Sequence, residues 1–279
     1  MRSFVDNILL SLCIPTYNRV DYLRELIPSL ITELAAVNRD AIRVELLISD
    51  NASTDGTEAY LRGVSCRGIN VFRNEKNIGG DRNFLACVER ASGEYVWLFG
   101  DDDVLETGGI VRILELLTSL QPALLILLAG EQRQAVADEV IYSDYGACVR
   151  ESMKRDESFA LSHTLITSNV FRRDIFDLDE GAAMLYTNYA HMYGLVGGLK
   201  RGGRVVVKAR VIRTRARRAQ FDHWPTALCV KQAGYLWRVA GWFDVPHLRK
   251  IAFCLALNLP LEILACCAHR VFPGRFGRT

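Results

Sequence analysis

Short apolar runs alternate with amphipathic stretches along the first 130 residues. Residues 8–14, 42–49, 69–72, 94–99 and 123–128 are compact and rich in Ile, Leu, Val and aromatic side chains. Their lack of period-two alternation predicts strands buried on both faces. Between them, residues 21–37, 57–62, 81–91 and 109–120 carry apolar side chains at helical spacing, as Phe84, Leu85 and Val88 do. Pro28 marks a point where the first of these helices could kink. Strands alternating with helices in this way predict an α/β domain, with a mostly parallel, Rossmann-like sheet flanked by helices. Further on the pattern loosens. Residues 168–171 and 204–212 suit strands, and residues 181–199 suit one helix carrying Asn188 and His191 a turn apart. Beyond a basic connector at residues 213–218, the chain from Thr226 reads as apolar helix interrupted by Pro246 and Pro260.

In open α/β sheets ligands sit beyond the carboxyl ends of the strands, so the polar residues that directly follow each strand are the informative ones. Four such loops stand out: Pro15-Thr16-Tyr17-Asn18-Arg19; the stretch from Asp50 to Thr57; Asn74 with Asn77-Ile78-Gly79-Gly80-Asp81-Arg82-Asn83; and Gly100-Asp101-Asp102-Asp103. All four are predicted to converge on one sheet edge.

Three consecutive carboxylates at a strand end repel one another, so Asp101, Asp102 and Asp103 should raise one another's pKa unless a cation compensates them. Mg²⁺ or Mn²⁺ would do so, since such ions use one or two carboxylates plus substrate phosphates. The plainer reading is an acidic turn that caps a helix. Asp50, where the second strand ends, can accept hydrogen bonds from a nucleobase edge. Asp55-Gly56-Thr57 reads first as a helix cap. Arg19 and Arg82 suit phosphate oxygens, or else are solvated charges at helix starts. Pro15-Thr16 can fix its loop for close approach to a base or ribose.

Charge is unevenly spread over the 279 residues. Residues 1–199 carry a net charge of −11 and residues 200–279 a net charge of +13, although the whole chain is +2. Two different kinds of partner are implied. The eight cysteines form no C-x-x-C pair and mostly lie in apolar segments, which favours buried thiols in a reducing compartment over a disulfide scaffold or a zinc site. Residues 8–14 read as a strand rather than a signal segment, and the most apolar stretch, residues 251–268, is broken by Asn258, Pro260 and Glu262, which argues against a membrane span. Neither G-x-G-x-x-G, a Walker lysine motif nor G-x-S-x-G occurs, which argues against dinucleotide oxidoreductases, P-loop enzymes and α/β hydrolases.

Over roughly residues 7–120 the order and spacing of these loops resemble the family 2 glycosyltransferases of GT-A fold, and the string Gly93-Glu94-Tyr95-Val96-Trp97-Leu98-Phe99-Gly100-Asp101-Asp102-Asp103 looks most like their abequosyltransferase-like bacterial branch. The resemblance implies a nucleotide-sugar donor held by Pro15, Thr16, Tyr17, Arg19, Asp50, Asn77, Arg82 and Asp101, with Asp50 on the base and Asp101 near the ribose. It implies Asp102 as metal ligand in a DXD-like motif, with Asp103 auxiliary. Two features depart from the family pattern. Gly100 stands where many members have Asp, and the helix region from Tyr186 to His191 lacks the Glu-Asp pair that often supplies the general base. His191 could take that role, its ordinary pKa lying near neutrality, with Asp179 and Glu180 as rivals beside Asp177. A lone His on a helix is more often structural. His223, in Asp222-His223-Trp224, could close over the nucleotide as a metal or phosphate ligand.

The expected organisation is a glycosyltransferase domain over residues 1–218, with its nucleotide-sugar half to about residue 130 and an acceptor half over residues 131–218, followed by a helical basic region, residues 219–279. The expected activity is sugar transfer to a saccharide acceptor, lipid-linked or free, in bacterial surface-polysaccharide synthesis. A sugar nucleotidyltransferase and a non-catalytic scaffold are the alternatives. Cationic, aromatic and apolar helices suit an anionic membrane surface better than nucleic acid, so peripheral attachment to the cytoplasmic face of the inner membrane is expected.

Overall fold

The computed structural model describes residues 8–38, 43–64, 68–128, 139–155, 164–209, 212–213, 226–245, 249 and 252. The chain divides into two compact units, residues 1–216 and 217–279. In the first unit the elements run β1 (Leu10–Thr16), α1 (Val20–Val37), β2 (Val44–Asp50), α2 (Thr57–Arg62), β3 (Ile69–Arg73), α3 (Gly80–Arg90), β4 (Tyr95–Leu98), β5 (Val104–Leu105), α4 (Gly109–Leu120), β6 (Leu124–Leu128), β7 (Glu139–Tyr142), α5 (Tyr145–Arg155), β8 (Asn169–Arg172), α6 (Leu178–Ala182), α7 (Ala190–Leu199), β9 (Val205–Ala209) and β10 (Ile212–Arg213). Eight strands form one sheet in the order β3-β2-β1-β4-β8-β6-β9-β7, and β10 pairs with β5 in a separate small sheet. The sheet is mostly parallel: β8 runs antiparallel to β4 and β6, and β7 antiparallel to β9.

The apolar pattern explains the layers. Every residue of β1 and β2 is buried, as helices on both faces require. Leu10, Leu12 and Ile14 of β1 share a core with Leu23, Ile27 and Leu30 of α1 and with Ile110, Ile113 and Leu117 of α4. The opposite face meets α3, where the Cys13 thiol lies 3.9 Å from the carbonyl of Cys87. In α1 the buried positions form a stripe that leaves Pro28 inside the helix.

Two expectations are corrected. Residues 181–199 are not one helix. The chain forms α6, then a turn in which Tyr186 and Asn188 adopt left-handed φ values of 69° and 65°, and only then α7, so Asn188 precedes the helix that holds His191. A residue such as Tyr186 costs about 1–2 kcal/mol in that conformation, which Asn tolerates better, so the surroundings must hold the turn. They do: the Asp81 carboxylate of α3 accepts the N–H of Asn188 at 2.9 Å and of Ala190 at 3.2 Å. The strand expected over residues 204–212 is also divided, with β9 in the large sheet and β10 beside β5. The apolar pattern missed β7 and α5 as well. β7 is an edge strand with two of its four residues exposed, and such strands lack a full apolar signature.

In the second unit the helix α8 (Thr226–Trp242) carries Arg238 stacked 5.8 Å over the Trp242 ring, and Arg249 lies 5.8 Å over the exposed ring of Trp237. Among the described residues no helix is long and apolar enough to cross a membrane.

Candidate functional site

The loops predicted to converge do so through the register of the parallel strands. Thr16, Asp50 and Arg73 are the last residues of β1, β2 and β3, and they are direct neighbours across the sheet. The Thr16 hydroxyl donates to Asp101 Oδ2 at 2.7 Å, tying this row to the acidic triplet after β4. Asp55 joins the first two loops: it accepts the N–H of Val20 at the start of α1 and both the N–H and the hydroxyl of Thr57 at the start of α2. The capping reading of Asp55 is therefore the one observed.

Burial pushes the Asp101 carboxyl up to about 6; the charge of Asp102 adds to this, while the Thr16 hydroxyl and Arg19 oppose it. Asp103 rises to about 6 as well, again through burial first, with Asp102 and Asp101 adding and the hydrogen bond from Thr167 opposing. The Thr167 hydroxyl donates to Asp103 Oδ2 and accepts the N–H of Gly100 at 2.8 Å. At Gly100 the side chains around the backbone are crowded. A β-carbon there would lie 2.8 Å from Asp103 Oδ2 and 3.4 Å from Asp102 Oδ1. Two carboxylate oxygens thus flank a space that any larger residue would fill. Among the described residues no group of three or more His, Cys, Asp or Glu side chains is placed to hold a metal ion.

Asp50 is 1% exposed. Its Oδ1 accepts the Ser53 N–H at 3.0 Å and its Oδ2 accepts from the Arg73 guanidinium. Pro15 is buried one position before Thr16, and Tyr17 is exposed on the loop that follows. Arg19, at the start of α1, stacks 5.2 Å over the Tyr22 ring. Arg82 is exposed in the first turn of α3. Asn77 is exposed, and its Oδ1 accepts from Asn51 Nδ2 and from the N–H of Gly79, both at 2.9 Å. It belongs to an amide network in which Asn51, Asn74 and Asn83 join β2, the β3–α3 loop and α3.

His191 departs from the expectation of a near-neutral base. It is 5% exposed, its ring meets Phe84 edge-on at 5.3 Å, and Nε2 lies 3.4 Å from the Thr164 carbonyl. Burial lowers its pKa to about 4, against the weaker upward pull of Thr164 and Asp81. Glu180 pairs with Lys200 at 3.0 Å, and Asp179 is exposed on α6. His223 lies outside the described residues.

Sequence reasoning passed over Arg73, Thr167 and the capping role of Asp81. Arg73 is the last residue of an apolar run, Thr167 lies 64 positions from its partner Asp103, and Asp81 reads locally as a first-turn carboxylate of its own helix. The strand-end position of Arg73, directly opposite Asp50 once the strands are aligned, was the one usable signal.

The profile of glycosyl transferase family 2 matches residues 11–177. Over 100 residues, 35% of this chain, the sequence is 51% identical to the abequosyltransferase RfbV of Salmonella typhimurium, and that match spans 29% of the relative's length. The fold is similar to that of S. aureus TarS 1–349 in complex with UDP-GlcNAc, with a TM-score of 0.61 and 16% identity, covering 90% of this chain and 72% of the other. It is also similar to the mannosyltransferase PcManGT from Pyrobaculum calidifontis in complex with GDP-Man and Mn²⁺, with a TM-score of 0.53 and 15% identity, covering 94% and 79%. At such identities the likeness is one of fold.

Proposed function

The chain belongs to glycosyl transferase family 2, and from that premise we propose that it moves a sugar from a nucleotide-diphosphate-sugar to a saccharide acceptor in bacterial surface-polysaccharide synthesis. The observation that carries this reading is the row Thr16–Asp50–Arg73 at the strand ends, joined through Thr16 to Asp101 and hence to the triplet. The carboxylate proposed for the base and the acidic turn proposed for the diphosphate thus lie on one sheet edge. The abequosyltransferase relative supports sugar transfer, and the structural neighbours bound to UDP-GlcNAc and GDP-Man support a nucleotide-sugar donor.

In this reading Asp50 contacts the base, Asp101 the ribose, and Arg19 and Arg82 the diphosphate, with Pro15, Thr16 and Tyr17 shaping the approach. Asn77 acts through the loop it braces. A divalent ion, Mg²⁺ or Mn²⁺, suits the donor set: hard oxygen ligands, two of them around the space beside Gly100, and a protein contribution left open for phosphate oxygens. Asp102 and Asp103 would hold it, and when bound it would neutralise charge on the diphosphate leaving group. Proton removal from the acceptor is assigned to Asp179 or Glu180 ahead of His191, because their carboxylates reach solvent whereas burial keeps the imidazole neutral and enclosed. The basic C-terminal unit is proposed to bind the cytoplasmic face of an anionic membrane, beside a lipid-linked acceptor, with His223 as a further phosphate or metal contact.

Nucleotide release from a panel of nucleotide-sugars, with and without chelator, tests the reading. One donor is expected to be turned over, with loss of activity on chelation and in Asp102→Ala. Activity that survives both changes overturns the metal role, and pyrophosphate produced from a sugar phosphate and a nucleoside triphosphate overturns the transferase class.

A further inference from the structure

We infer that Arg73 is a positioning residue for nucleobase recognition, holding the Asp50 carboxylate in the orientation in which it receives an N–H of the base. This rests on the reading of Asp50 as the base contact and adds the device that makes it selective.

A carboxylate as buried as Asp50 needs partners to replace lost water. Ser53 N–H supplies one to Oδ1, and the Arg73 guanidinium supplies one to Oδ2. The same guanidinium is itself fixed: its Nη2 donates to the Ser53 carbonyl at 3.0 Å and lies 3.3 Å from Glu58 Oε2. Asp50, Ser53 and Arg73 therefore close a ring, and Glu58 of α2 pins the cation from outside it. The register places the pair side by side, because Asp50 and Arg73 are cross-strand neighbours. An ionised carboxylate has about four acceptor positions. Two are occupied by the ring, and those left free can only accept. Both groups line a cavity of about 400 Å³ whose other walls include Leu61 of α2 and Ile69 and Val71 of β3. Arginine suits this position because its planar fork can bridge three acceptors at once, whereas a lysine offers a single point charge on a flexible stem.

The test is calorimetric titration of the full chain, with Mn²⁺ present, by UDP, dTDP, CDP and GDP and by inorganic pyrophosphate, which has no base. In Arg73→Gln the tightest nucleoside diphosphate is expected to weaken about tenfold or more, with the preference among bases flattened. Pyrophosphate should bind within about twofold of wild type, because its contacts lie with the triplet and the arginines of the other loops. Arg73→Lys should recover part of the loss. Asp50→Asn separates the two layers of the argument. If Asp50→Asn weakens nucleotide binding but Arg73→Gln does not, the positioning role is overturned and the base contact stands. If neither variant changes nucleotide binding, or no nucleotide binds the wild type, both are overturned. Equal weakening of pyrophosphate and nucleotide in Arg73→Gln identifies a structural ion pair and also overturns the inference.

Discussion

The carboxylate of Asp81 accepts the backbone N–H of Asn188, 107 positions further along the chain. With its second bond to Ala190, it caps α7 from the first turn of α3 and joins the loop after β3 to the half of the domain expected to meet the acceptor. Replacing it by Ala leaves two N–H groups without their acceptor, one on the fully buried Ala190. Asp81→Ala should therefore destabilise the fold by about 2 kcal/mol, read as a lower urea midpoint, with Asp81→Asn losing less. An unchanged midpoint would show that the turn at Tyr186 and Asn188 is held by other contacts.

His191 makes stability depend on pH. Its folded pKa of about 4 lies below the ~6.5 of an unfolded histidine, so between these values the unfolded chain binds more protons. The contribution is complete above about pH 6.5 and is lost as pH falls through about 4, to a total of roughly 3 kcal/mol. Denaturation midpoints measured from pH 4 to 8 should show a smaller decline in His191→Gln than in wild type. Parallel curves would contradict the neutral, buried state.

The triplet should work in the opposite direction. Asp103, raised to about 6, binds its proton more tightly in the folded chain, so its carboxylate increasingly opposes folding as pH rises from about 4 through 6. In chelator-treated protein at pH 8, Asp103→Asn should be more stable by about 1–2 kcal/mol, solvent screening trimming the full shift. Its nucleotide release should fall. A variant no more stable than wild type would remove the argument that the triplet is strained without a cation.

Gly100→Ala probes the same space sterically. The added methyl would meet Asp103 Oδ2 and displace a carboxylate by a fraction of an ångström, for which a loss of about tenfold to a hundredfold in kcat/KM is expected. Thermal unfolding should shift little, since the displaced atom ends a side chain. Wild-type kinetics in this variant would show that the space beside Gly100 plays no part in turnover.

Deletion of residues 226–279 should abolish co-sedimentation with anionic phospholipid vesicles. Full-length protein should lose the same binding in high salt, where charge attraction is screened. Equal partitioning of the two proteins would remove the membrane-surface proposal.

The apolar rhythm of the first 130 residues was enough to place β1 to β4, β6 and the helices between them within a residue or two, because strands buried on both faces and one-sided helices leave different periodicities. The polar loops were legible for the same reason: a parallel sheet puts whatever follows each strand on one edge. Beyond residue 130 the signal weakened. β7 is half exposed, and α6 and α7 are divided by a turn whose left-handed residues are held by a carboxylate 107 positions earlier, a contact no local pattern can contain. Composition likewise identified the acidic triplet but not its supports, since the partnerships of Asp103 with Thr167 and of Asp50 with Arg73 arise only when strand register brings them together. Local periodicity and loop chemistry thus determined the architecture and the chemical type of the site. Tertiary structure decided which side chains are clamped, which are buried beyond titration near neutrality, and which face open space, because each of those properties depends on neighbours distant in sequence.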